Sequence, residues 1–179
     1  MNAATVSPVL DVDRTDHVKG SRDAPVTVIE YGDFECPSCR QAEPAVKLML
    51  TRYEREVRLV FRHFPQEVAH PHALAAAEAA ESAAAQGQFW PMHDLLLEHQ
   101  THLDQRHLER YASQLGLDLP RFIAELDDHV YLQRVREQMA SARSLHLHAT
   151  PAFFINGAIC DVSFGTHALL DGVAAALNR

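Results

Sequence analysis

A chain of 179 residues and 20.0 kDa fits one compact domain, or one domain carrying a large insertion, better than two independent cores. Apolar residues at 47% and charged ones at 22% are ordinary globular usage and exclude disorder as the main state, while 16 Lys and Arg against 24 Asp and Glu give a net charge of −8 that repels a phosphate backbone and excludes nucleic acid as the expected partner. No run approaches the ~18–20 consecutive apolar residues of a membrane helix, and the first twenty residues lack the basic and apolar regions of a secretion signal, so the expectation is a cytoplasmic protein with no membrane partner.

Residues 1–23 carry no sustained period and read as a polar lead-in with room for a short edge strand. Val26 to Tyr31, β-branched and aromatic between Ala24-Pro25 and Gly32-Asp33, predicts a central strand. Ala42, Val46, Met49, Leu50 and Tyr53 then recur at helical spacing behind Pro37, which is tolerated in a first turn. Val57 to Phe64 predicts a second strand, stopped by Pro65.

Residues 69–86 hold ten alanines before Gly87, the composition of a closely packed helix. Leu108, Tyr111, Ala112 and Leu115 predict another, capped by Asp104 and ended by Gly116, and Leu132, Val135, Met139 and Ala142 extend helix to Ser144. Asn156-Gly157 between two apolar runs is a strong hairpin signal, pairing Phe153 with Cys160, Phe154 with Ile159 and Ile155 with Ala158. A last helix follows, with Leu170, Val173 and Leu177 on one face. The order predicts an α/β fold with a central sheet and surrounding helices.

Three cysteines are too few for a disulfide scaffold. Cys36 and Cys39 form a Cys-Pro-Ser-Cys unit at a helix start. There the first sulfur meets unpaired backbone N–H groups and the positive end of the helix dipole, which favours thiolate over thiol. Cys36 is thus the expected nucleophile and Cys39, inside the first turn, the resolving thiol. A structural zinc site wants four ligands and only one such pair exists, but a thiol-metal carrier holding copper or zinc with a nearby histidine uses the same two sulfurs. Cys160 reads as a packed structural thiol. The 12 histidines carry no metalloprotease-like order and are expected as solvated surface, with His148 the exception because its loop should abut Cys36. No flavin or nicotinamide motif is visible, so no cofactor is expected.

Residues 24–39, reading Ala-Pro-Val-Thr-Val-Ile-Glu-Tyr-Gly-Asp-Phe-Glu-Cys-Pro-Ser-Cys, resemble the DsbA-like branch of the thioredoxin superfamily. So do Phe61-Arg62-His63-Phe64-Pro65, Phe89-Trp90-Pro91-Met92-His93-Asp94 and Thr150-Pro151-Ala152-Phe153-Phe154-Ile155-Asn156-Gly157. The resemblance implies a thioredoxin fold over residues 24–68 and 147–179, with an all-helical domain, 69–146, inserted between its strand-helix-strand and hairpin-helix halves. It implies a monomeric thiol–disulfide oxidoreductase acting on polypeptide thiols or disulfides, with a small thiol or a protein as electron partner. Thr150 and Pro151 would form the platform for a substrate strand, beside Pro37 and Ser38, and Phe89 and Trp90 would line a peptide groove. Glu30 shares strand parity with Val26 and Val28 and stands where the family often keeps a buried acid, a candidate relay for the Cys39 proton. Where the family usually has Gly-x-x-Gly-Thr-Pro, this chain has His146 and Ala149 in the glycine positions.

Overall fold

A computed structural model describes residues 10–163 and 165–178. The first nine residues of the expected lead-in lie outside them. In chain order the elements are β1 (His17–Gly20), β2 (Val26–Gly32), α1 (Pro37–Arg52), β3 (Val57–His63), α2 (Ala73–Ala84), α3 (Phe89–Glu98), α4 (Gln105–Gln114), α5 (Leu119–Asp127), α6 (Leu132–Ser144), β4 (Ala152–Ile155), β5 (Ala158–Cys160) and α7 (His167–Leu177). This is a thioredoxin-like fold, as the resemblance implied. No helix among the described residues is long and apolar enough to cross a membrane.

The five strands lie in the order β1-β3-β2-β4-β5. β2 is central and buried along nearly its whole length, which explains a near-continuous apolar run rather than an alternating one. β2 and β3 are neighbours joined through α1, while β4 runs antiparallel to β2, and β5 to β4. The hairpin register is the expected one, Phe153 with Cys160, Phe154 with Ile159 and Ile155 with Ala158. Asn156 and Gly157 both take positive φ, 47° and 83°, the two-residue turn whose twist suits a hairpin.

The chain divides into two compact units. One takes the chain up to Tyr31, Gln41–Arg62 and the chain from Pro151 onward. Its core is made of Val28, Ile29, Val46, Met49, Leu59, Phe61, Phe153, Leu169 and Val173. The buried face of α7 thus centres on Leu169 and Val173, not on Leu170. Arg62 fastens β1 and the segment before it: its guanidinium donates to both carboxylate oxygens of Asp16 at 2.9 and 2.8 Å, to the Tyr31 hydroxyl at 3.1 Å and to the Asp11 carbonyl at 2.8 Å.

The other unit takes Gly32–Arg40 and His63–Thr150. Here α2 packs against α3, α4, α5 and α6 through buried Ala76, Ala77, Ala79, Ala80 and Ala83, side chains short enough for close approach. The same helix buries charge. Glu81 meets His63 at 3.0 Å and Arg134 at 2.7 Å, and Glu78 meets His129 at 3.1 Å. Burial pushes the Glu78 carboxyl up, against the pull of His129 and Arg136. Two helices escaped the sequence pattern, α3 and α5; the latter, begun by the Asp118 cap on the N–H of Arg121, fully buries only Phe122.

Candidate active site

The thiols sit in the second unit, where the connection after β2 turns into the first turn of α1. Cys36 and Cys39 both carry thiols, 7% and 1% exposed, whereas Pro37 and Ser38 between them are exposed. The Asp33 carbonyl accepts from the Cys36 N–H at 3.2 Å, and the Cys36 carbonyl accepts from the N–H of Cys39 at 3.1 Å and of Arg40 at 3.3 Å. The side-chain amide of Gln100 donates to the carbonyls of Phe34 and Cys36 at 2.9 and 2.8 Å. The reactive loop is therefore held by its carbonyls.

The N–H of Asp33 donates to Cys39 Sγ at 3.4 Å, and the Cys36 thiol donates to the Thr150 carbonyl at 3.3 Å. The Cys36 pKa falls to about 5. A hydrogen bond from the Cys39 thiol is the largest cause; burial opposes it, and the Thr150 side chain and the N–H groups of Cys39 and Ser38 add to it. Helix-start N–H groups thus contribute as the sequence led us to expect, but the partner thiol contributes more.

Thr150 is buried. In the same unit a cavity of about 410 Å³ is bounded by Phe64, Pro65, Val68, Arg143, Leu147 and His148. Arg143 and His148 are exposed, and His148 stands two residues before Thr150. Phe89 is a core residue rather than a groove wall. It is 5% exposed and packs on His63 and His93, the two rings that also meet Phe34, because a ring this large is stabilised by burial. Trp90, edge-on to Phe89, stays half-buried. His146 takes φ 57°, the left-handed conformation that a glycine at this position would adopt without strain.

In the first unit, Glu30 is 1% exposed on β2, opposite Phe153 of β4. Pro151, partly exposed, leads into β4. Cys160 is half-buried there, its thiol donating to the Ala168 carbonyl at 3.6 Å; burial, then Asp161, pushes its pKa up.

Sequence reasoning missed a set of side chains around the thiols. His63 and His93 are buried, not solvated. Asp33, Gln100 and His70 had no signal of their own, since Asp33 reads as a turn residue and its partner His70 lies 37 residues on.

A family model described as Thioredoxin matches residues 12–171. Among solved structures, the chain is similar to a thioredoxin-like oxidoreductase from Silicibacter pomeroyi DSS-3, with 28% identity, a TM-score of 0.82 and coverage of 93% of this chain and 95% of that one. It shares its fold with alpha-DsbA1 of Wolbachia pipientis at 19% identity, a TM-score of 0.83 and coverage of 95% and 94%. It is also 50% identical over 167 residues to part of the Na(+)/H(+) antiporter NhaA 1 of Salinispora arenicola, a match covering 93% of this chain and 25% of that protein. The chain spans about a quarter of the length of the curated relatives it matches.

Proposed function

The chain belongs to the thioredoxin family, and from that premise we propose that it is a DsbA-like thiol–disulfide oxidoreductase exchanging disulfides with polypeptides through Cys36 and Cys39. The observation that carries this reading is the depressed pKa of Cys36, about 5, beside a second, more deeply buried thiol in the same helical turn, which donates a hydrogen bond to it. At neutral pH a thiol with that pKa is mostly thiolate. The likeness to an oxidoreductase of known structure supports the same chemistry.

In the reducing direction the Cys36 thiolate attacks one sulfur of a substrate disulfide. The S–S bond breaks, and its other sulfur leaves as a thiolate that takes a proton from water. Cys39 then gives up its proton and attacks Cys36 in the mixed disulfide, releasing the second substrate sulfur as a thiolate. The substrate gains two electrons and the Cys36–Cys39 pair loses them; a small thiol or a protein partner returns them. Run backward, the same steps oxidise a substrate dithiol. A low Cys36 pKa makes it a good leaving group in that direction and stabilises the reduced protein.

Glu30 is the proposed relay for the Cys39 proton, a buried acid on β2 where a carboxylate is rare without a purpose. Thr150 and Pro151, with exposed Pro37 and Ser38, form the proposed platform for the substrate backbone, and the cavity bounded by Leu147 and His148 offers room for a neighbouring substrate side chain. The test is catalysed reduction of insulin by metal-free protein with a small dithiol as electron source. Turnover that disappears in Cys36→Ser supports exchange, whereas no turnover together with tight copper or zinc binding would identify a thiol-metal carrier.

A further inference from the structure

Asp33 meets both cysteines through its backbone and His70 through its side chain. Its side chain is fully buried, and its carboxylate accepts three N–H groups: Glu35 at 2.7 Å on Oδ1, and Gln66 at 2.8 Å and His70 Nδ1 at 2.7 Å on Oδ2. Its carbonyl holds the Cys36 N–H, and its N–H faces Cys39 Sγ. A buried carboxylate is thus within one residue's reach of the dithiol. Left alone, its charge would oppose a second negative charge on Cys36, because like charges in a poorly solvated site disfavour each other's ionised forms.

His70 supplies the counter-charge. It comes from the connection between β3 and α2, outside the Cys-Pro-Ser-Cys unit, and its side chain is 18% exposed. Burial works against its protonated form, but the hydrogen bond to Asp33, the charge of Asp33, and then Cys36 and Glu35 raise its pKa above the ordinary imidazole value. Glu35 is in turn engaged by His72, whose N–H it accepts at 2.7 Å and whose Nδ1 lies at 3.1 Å. Glu67, in His70's own connection, is exposed.

We propose that His70 is a positioning residue for the exchange reaction: as an imidazolium seated on Asp33, it cancels the carboxylate's charge beside the dithiol and so keeps Cys36 in the attacking, thiolate form. The proposal rests on Cys36 being the nucleophile. Reduction of the Cys36–Cys39 bridge places a negative charge near His70, so His70 binds its proton more tightly in the reduced protein than in the oxidised one, and the pair's potential acquires a pH dependence from His70.

The test uses His70→Asn, whose side-chain Nδ2 occupies the place of the ring Nδ1 and keeps the bond to Asp33 without a charge. Alkylation of Cys36 against pH, followed by mass spectrometry, should show its midpoint rising by about one unit, a tenfold loss of thiolate well below the original midpoint. The redox potential should move in the reducing direction. Adding Asp33→Asn removes the uncompensated carboxylate and should bring the midpoint back toward that of the unaltered protein, which a merely loosened loop would not do. Should that double variant fail to fold, His70→Arg restores a permanent positive charge and should lower the midpoint again. A His70→Asn midpoint equal to a low midpoint in the unaltered protein overturns this proposal alone, as does a rise that neither companion variant reverses. An ordinary thiol midpoint in the unaltered protein overturns both this proposal and the exchange reading.

Discussion

The thiol of Cys36 and the carbonyl oxygen of Thr150 lie 3.3 Å apart across 114 residues of chain. A thiol can donate to that oxygen and a thiolate cannot, so ionisation of Cys36 frees the carbonyl to accept an N–H from elsewhere. Alkylation at graded pH should show Cys36 titrating near 5 and Cys160 above the ordinary thiol value. A Cys36 midpoint near 8.5, the usual value for a free cysteine, would remove the basis for the nucleophile assignment.

The same depressed pKa links redox state to stability. An unfolded chain binds the Cys36 proton up to about pH 8.5, whereas the folded reduced protein has released it above about 5. Stability of the reduced form relative to the oxidised form therefore rises with pH between those limits and falls away as pH drops through 5. Urea unfolding of both forms at pH 4.5, 6 and 8 measures this, and a difference independent of pH would contradict it.

Glu30→Gln should slow resolution of mixed disulfides by Cys39, by about tenfold or more on the scale of general acid–base effects. The initial attack by Cys36 should be left largely intact. Rapid-quench trapping of the mixed disulfide separates the two steps, and equal loss in both would argue against a relay.

Glu81 is paired by His63 and Arg134 inside the helical unit. Glu81→Ala should cost about 3 kcal/mol, because it strips a buried histidine and an arginine of their common acceptor. Chemical denaturation reads this directly; a loss below about 1 kcal/mol would mean the pair behaves as an exposed one.

His146→Gly should stabilise the protein by about 0.5–1 kcal/mol, since glycine takes φ 57° without a Cβ clash and gives back part of the gain as unfolded-chain entropy. Thermal unfolding should show a raised midpoint; a lowered one would indicate that the imidazole makes a compensating contact.

Much of this was legible in the sequence wherever local chemistry and period agree. The β2-α1-β3 run, the Asp104 cap and the hairpin register each depend on residues close in sequence, so their patterns survive in one dimension. The helix α5 did not announce itself because it fully buries one side chain, Phe122, and leaves little apolar period. Phe89 is expected in a groove, yet His63, which packs on it, comes from β3, and Phe34, which meets the same His63 and His93, comes from the loop before α1. Asp33 and His70 were invisible for the same reason: a hydrogen bond between two connections has no spacing rule.

Gln100 gives the reactive loop a property that its charged neighbours cannot. The amide that secures the carbonyls of Phe34 and Cys36 has no proton to gain or lose anywhere in the physiological range. That clamp is thereby insulated from acidity, while the loop's reactivity, set by Cys36 and the imidazole of His70, is not. A drop in pH would quiet the nucleophile without dismantling the scaffold that aims it, so activity lost in acid should return in full on neutralisation.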